Sequence, residues 1–442
     1  MRYLLGFLCV CALGVVPLVG CGQSLGPMKA FPCTEQGIRE AIAEGGGLHT
    51  FSCDGPTTVV TEAEIVIDND VLLDGEGNLT VDGDDDHLVF LISEGVAAEL
   101  RGLSVTRSTA ATDDGGITNT GTLRLTDSTV SGNGNSGIVN SGTLTLTDST
   151  VSGNGNAGIV NSGTLTVTNT TVSGSTNAGI HNYGTVMLTD ITVSGNGSGG
   201  IYNAGGGTLT VTNSTVSGNG NAGIVNSGTL TVTNSTVSGN DRSGIHNEDG
   251  GTLRLTDSTV SGNTVIYGGG GGIRNNLGTV MLTNCTVSGN TADSGGGIRN
   301  NLGTVMLTNC TVSGNTADDG AGIFNDGGTL TVTNTLVDDV CGGDTMVSGG
   351  NNIESPNDTC GFDQTSDQPG VSTDDLKLGP LADNGGPTMT HALLPGSVAI
   401  NVIREADCVD ADGAPLTTDQ RGEPRPETGG TMCDVGAFEV QP

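Results

Sequence analysis

The densest set of side chains suited to metal or acid–base chemistry is Asp82, Asp84, Asp85 and Asp86, in the run VDGDDDH. Clustered carboxylates are the hard oxygen donors that Ca2+ takes. A lyase acting on an acidic sugar pairs such an ion with an Arg or Lys near the sugar's α-proton, yet no basic residue follows until Arg101. A solvated Asp-rich turn explains the run with fewer demands. A second segment, DCVDADG at 407–413, sets Asp410, Asp412 and Gly413 in part of a calcium-loop pattern. Cys408 stands at its first ligand position and the closing Glu is missing. Ca2+ is the one cofactor these six aspartates suggest. Arg274 and Arg299 hold equivalent places in two IRNN phrases and are spaced to grip an anion together, although repeat copying accounts for them equally well. His49, His87, His181, His246 and His391 form no motif. No catalytic set emerges.

These residues sit in a chain that repeats itself. The Val of its TVSGN-type phrase falls at Val130, Val151, Val172 and Val193, and the Ile of its Gly-Ile pair at Ile138, Ile159, Ile180 and Ile201. Later copies lengthen, so the period runs from about 21 to 27 residues, within the range of a solenoid. In the copy GIVNSGTLTLTDSTVSGN, Leu144 and Leu146 alternate with Thr143, Thr145 and Thr147. Period 2 puts the leucines on one face of a strand. Thr and Val favour strands, and Gly and Asn supply the positive φ of turns. Almost no segment between glycines reaches helical length. Three strands per coil, stacked coil on coil, make an all-β parallel β-helix, with Ile138, Leu144, Leu146 and Val151 filling one interior layer. Asn119, Asn140, Asn161, Asn182, Asn203, Asn226 and Asn247 hold one place per coil, where side-chain amides form a ladder at about 4.8 Å. Insertions around Tyr267 and Asp293 lengthen two coils, and loops on one edge of a solenoid are where a partner docks.

Composition narrows the class. Hydrophobic residues are 34% and aromatics 2%, with 76 Gly and no Trp. The fixed places of the apolar residues exclude disorder. With 48 acidic against 14 basic residues the net charge is −34, which argues against general affinity for nucleic acid or anionic lipid.

The first residues, MRYLLGFLCVCALGVVPLVGCGQ, combine Arg2, an apolar run broken by Pro17, and small residues. That is a signal peptide over 1–20 rather than a membrane span. Its end, Leu18-Val19-Gly20-Cys21, resembles the bacterial lipobox, which implies cleavage before Cys21 and a lipid on its thiol, the chain's sole membrane attachment. Eight further cysteines follow in the exported part, an even number that reads as disulfides. Near neighbours suggest Cys33–Cys53, Cys341–Cys360 and Cys408–Cys433. Cys285 and Cys310 lie one coil apart with parallel Cβ vectors that strain a bridge, so two buried thiols are expected there.

Residues 21–47 read as a linker and a short capping helix: TEQGIREAIAE places Ile38, Ala41 and Ile42 on one face. Such a helix covers an otherwise open first coil. Degenerate coils fill 48–116, regular repeats 117–337, and a Pro-richer segment 338–442. There LGPLADNGGPTMTHALLPGSVAIN, DQRGEPRP and CDVGAFE (residues 378–401, 419–426 and 433–439) resemble the choice-of-anchor Q domain of bacterial surface proteins. The resemblance implies an extracellular right-handed parallel β-helix displayed at the cell surface, and no reaction. GGGIRNN and GAGIFND are similar to the repeats of polymorphic outer-membrane proteins. Stacking aromatics, usual in carbohydrate clefts, are few: only Tyr183, Tyr202 and Phe324 stand beside the Gly-Ile positions. The expectation is an exported lipoprotein of the outer membrane or cell surface with a non-enzymatic adhesin-like or structural binding role. Its partner would be a glycan or cell-surface protein. The alternative is a polysaccharide-active enzyme, pectate-lyase-like or a glycoside hydrolase, on the same fold.

Overall fold

In each coil a five-residue strand such as Thr143–Thr147 turns Leu144 and Leu146 inward, both with no exposed surface. A residue in the left-handed region, Asp148 at φ 51°, breaks the chain direction after it. Asp or Asn fills that place in coil after coil (Asn169, Asp190, Asn213, Asn234), as expected of the side chains that tolerate positive φ best after Gly. A three-residue strand, Thr150–Ser152, then buries Val151. The third strand, Ile159–Asn161, opens the next coil and buries Ile159. The pairings between coils are parallel, and through the regular repeats they stay in register, Leu144 opposite Leu165 and Ile138 opposite Ile159; the register shifts only in the early strands and at Val332–Thr333. The third strands form one sheet of 13, from Ile65–Ile67 to Cys341–Gly343. The other two strand types run together in a 27-stranded sheet, because long early strands such as Val71–Asp82 pass through both walls. This computed structural model describes residues 29–109 and 115–442; Cys21 and the signal segment lie outside them.

Two asparagine columns tie the coils together. The expected one runs from Asn119 through Asn140, Asn161 and Asn182 to Asn325, each Nδ2 donating to the next Oδ1 at 2.7–2.9 Å. The second is built by the Asn of the SGN phrase, as in Asn196 to Asn219 at 3.0 Å and Asn219 to Asn240 at 2.9 Å. One hydroxyl column faces inward. Ser128, Ser149 and Thr170 are buried, each donating to a carbonyl two residues back and accepting a backbone N–H from the preceding coil. Cys285 and Cys310 occupy that column as buried free thiols. Cys285 Sγ lies 3.1 Å from the Thr283 carbonyl, so thiol replaces hydroxyl in the same role.

The N-terminal end is closed by the helix Glu35–Glu44, which buries Ile38, Ala41 and Ile42. Thr34 caps it by accepting from the Gly37 N–H, and Gly45 ends it at φ 63°. Cys33 is joined to Cys53, Cys341 to Cys360 and Cys408 to Cys433. The coil pattern continues past Val337 through Val347–Gly350 and Ile353–Glu354, which pair with the coil before. From there the chain folds back along the flank of the later coils as a clasp. The Thr259 hydroxyl donates to the Met389 carbonyl and the Thr286 hydroxyl to Gln420 Oε1, both at 2.6 Å. Ser288 Oγ meets His391 Nε2 at 2.9 Å. Thr286, Val287 and Ser288 are therefore all buried, whereas Thr150 and Ser152 stay partly open.

Candidate functional site

The outward position after Gly-Ile gathers the side chains that break the repeat. On the third-strand sheet Val160, His181 and Tyr202 follow one another, then Val225, His246, Arg274, Arg299 and Phe324, each paired with the next across one coil. From His181 to Phe324 the strip covers six coil steps, about 29 Å at 4.8 Å per step. Three rings meet near its start. His181 stacks on Tyr183 with ring centroids 4.5 Å apart, and Tyr202 lies 5.1 Å from His181. Tyr183 and Tyr202 expose about half of their surface, 53% and 40%. Their spacing in sequence hid this, because the coil length had to be applied to the column after Gly-Ile before the rings fell together.

Charge collects farther along. The Tyr202 hydroxyl lies 3.5 Å from Glu248 Oε1, and burial followed by that carboxylate raises its pKa. Burial likewise raises Glu248. His246 Nε2 is 3.4 Å from Glu248 Oε2. Burial first, and the neighbouring Arg274 charge next, lower the imidazole to about 4, so at neutral pH it is uncharged and this contact is not an ion pair. Its Nε2 makes no hydrogen bond. Arg274 is half-buried with Nε unpartnered, and burial and Arg299 both lower its pKa. Arg299 pairs with Asp326 at 2.8 Å and sits 5.8 Å over the Phe324 ring, with its Nε also unpartnered. The two arginines singled out from the sequence thus stand side by side on the strip. Insert loops flank them: Ile266 and Tyr267 expose 69% and 88% of their surface, and Thr264, Thr291 and Thr316 bridge successive loops.

The aspartate runs are arranged otherwise. Arg107 reaches Asp82, Asp84 and Asp85 at 3.0–3.1 Å, while Asp82 also accepts the Asp84 backbone N–H. Asp410 accepts backbone N–H groups of Asp412 and Ala414, and Asp412 pairs with Arg254 at 2.8 Å. Among the described residues no three His, Cys, Asp or Glu side chains converge as metal ligands; Asp86 joins no such group. The DQRGEPRP and CDVGAFE segments supply the clasp's interior. Arg425 pairs with Glu439 at 3.0 Å with both side chains sealed from solvent, and Arg421 pairs with Asp419 at 2.7 Å. Their charged groups hold the clasp together.

Residues 139–277 match the family described as the right handed beta helix region. The fold is a right-handed parallel β-helix. Among solved structures, the A-module of the Azotobacter vinelandii mannuronan C-5 epimerase AlgE6 is 17% identical, with 73% of this chain and 92% of that one covered and a TM-score of 0.47. Pectate lyase Pel9A is 13% identical, with 93% and 96% covered and a TM-score of 0.40. No curated protein matches the chain.

Proposed function

We propose that the chain is an exported, surface-displayed binding protein that holds an extended acidic glycan along the strip from His181 to Phe324. The carrying observation is Arg274, a half-buried guanidinium with no ion-pair partner among the described residues, beside Arg299, on a chain of net charge −34. Glu248 offsets this charge only in part and without direct contact; a cation desolvated without a paired carboxylate costs stability, and an anionic ligand offsets that cost. Ring faces at Tyr183 and Tyr202 offer the stacking surface that sugar rings use. Adhesin-like attachment fits this arrangement, and the resemblance of the C-terminal segment to choice-of-anchor Q domains supports display at the cell surface. Binding of the purified chain to a polyuronate and to a neutral glucan tests the reading. The polyuronate is retained, weakens as salt rises, and loses about tenfold or more in affinity with Arg274→Ala; equal binding of both glycans rejects it. A polysaccharide lyase is the second reading, favoured by the uncharged His246 with a free Nε2 beside Arg274. Unsaturated sugar product in the same incubations selects it.

Anchoring through a lipid on Cys21 is part of this proposal. Cys21→Ala then moves the protein from the membrane to the soluble fraction, and an unchanged distribution rejects the anchor.

A further inference from the structure

A different face of the solenoid carries a pattern that glycan binding does not use. The strands Thr143–Thr147, Thr164–Thr168, Thr185–Thr189, Thr208–Thr212 and Thr229–Thr233 lie in register with no bulge between them. Each points three side chains outward, giving fifteen places, of which fourteen are Thr and one is Met187. None carries a charge, and Arg124 and Arg254 bound the patch in the next coil on either side. The first Thr of each strand is exposed and the others are half-open. Thr143 and Thr164 join the asparagine ladder only through their backbone carbonyls, so their hydroxyls are not spent on the fold.

Over these five coils the outward places are more uniform than those of the third-strand sheet. On the third-strand sheet the outward place drifts among Val, His, Tyr, Arg and Phe. Even the sealed interior exchanges Leu for Val, as at Leu165 against Val186 and Val167 against Leu188. Solvent-facing positions ordinarily tolerate change better than the core. Within the five coils of the patch the outward places depart from Thr only at Met187, and beyond it Arg124, Arg254, Met281 and Met306 interrupt the middle column.

We infer that this charge-free threonine lattice is a binding surface for ice. Thr oxygens and methyls repeat at about 4.8 Å from coil to coil and at about 6.6 Å along a strand, two residues at 3.3 Å each. The prism face of hexagonal ice repeats slightly below the first spacing and slightly above the second. Hydroxyls take places in the ice hydrogen-bond network while methyls order the water between them. A charged side chain would hold its hydration shell in another arrangement, and the patch has none. The inference is independent of the proposed glycan strip, which lies on the other sheet.

The test is thermal hysteresis and partition of the purified chain into a growing ice front. Wild type and Arg274→Ala are expected to shape ice crystals and to enter the ice. The pair Thr166→Tyr and Thr210→Tyr, aromatic replacements that outward strand positions accept, is expected to abolish both effects with the circular dichroism spectrum unchanged. Thr231→Lys, which adds a charge at the patch, is the second variant and is expected to do the same. Ice growth unaffected by wild type overturns the inference, as does undiminished activity in both folded variants.

Discussion

Asp339 ends the second asparagine column, that of the SGN phrase, where the preceding rung, Asn315, donates both its backbone N–H at 3.1 Å and its Nδ2 at 2.9 Å to Asp339 Oδ2. Burial pushes the carboxyl up to about 6, against the two bonds from Asn315. A folded-state pKa above the unfolded value means the folded chain takes up the proton first. This carboxyl therefore adds stability as pH falls through about 6 toward the unfolded range near 3.8, and loses it as pH rises. Asp339→Asn supplies the residue used in the rungs below, with Nδ2 free to reach the Val312 carbonyl as Asn315 reaches Val287. The variant is expected to be more stable than wild type at pH 7.5 by roughly 1 kcal/mol and level with it at pH 4.5, measured by thermal unfolding. A constant difference across that range rejects the account. At this scale the sequence was legible for type and not for company. Arg274 and Arg299 were readable as a pair because both stand in IRNN, whereas Tyr183, Tyr202 and His181 come from two coils and meet only once folded.

A coil is held less by its short strands than by what stacks at its corners. Asn161 is sealed from solvent; its Nδ2 donates to Asn182 Oδ1 and the Gly163 carbonyl, and its Oδ1 accepts from Asn140. Asn161→Ala strands polar groups in two neighbouring coils, each costing about 1–3 kcal/mol, so a loss of about 2–3 kcal/mol is expected in urea unfolding. Ser152→Ala, on the partly open flank, is expected to stay within about 0.5 kcal/mol. Comparable losses from both would remove the ladder from its structural role. The first asparagine column was readable from one Asn per period after Gly-Ile. The second escaped because the Asn of SGN looks like an ordinary turn residue, and its inward aim depends on the left-handed Gly before it, such as Gly153 at φ 61°. The hydroxyl column escaped for a related reason: a Ser flanked by outward Thr positions reads as solvent-facing until the αL Asp rotates the chain.

For the whole molecule, the solenoid was legible from its period, since a strand repeat of this length has one economical way to bury Leu, Val and Ile. The clasp was not, because its contacts join residues more than a hundred apart, as Thr286 and Gln420 are, and no periodicity encodes them. It covers the flank over the later coils, from Arg254 and Thr259 onward, and leaves the same flank partly open over earlier ones such as Thr150–Ser152. Cys408–Cys433 closes a loop with a sequence separation of 25 within it, and in the chain-entropy model losing such a bridge costs about 3 kcal/mol. The solenoid keeps its own ladders without the clasp, and local opening is drawn from the least self-supporting segment. Cys408→Ser with Cys433→Ser is therefore expected to open the clasp before the coils. Amide exchange should speed up at Val435, Gly436 and Gln420, whose N–H groups bond Ala399, Asn334 and Ala437 carbonyls, while protection at Ile159 and Ile180 is unchanged. Equal acceleration at both sets would mean that clasp and solenoid unfold as one unit, with the C-terminal segment a structural part of every coil rather than a cover for the last few.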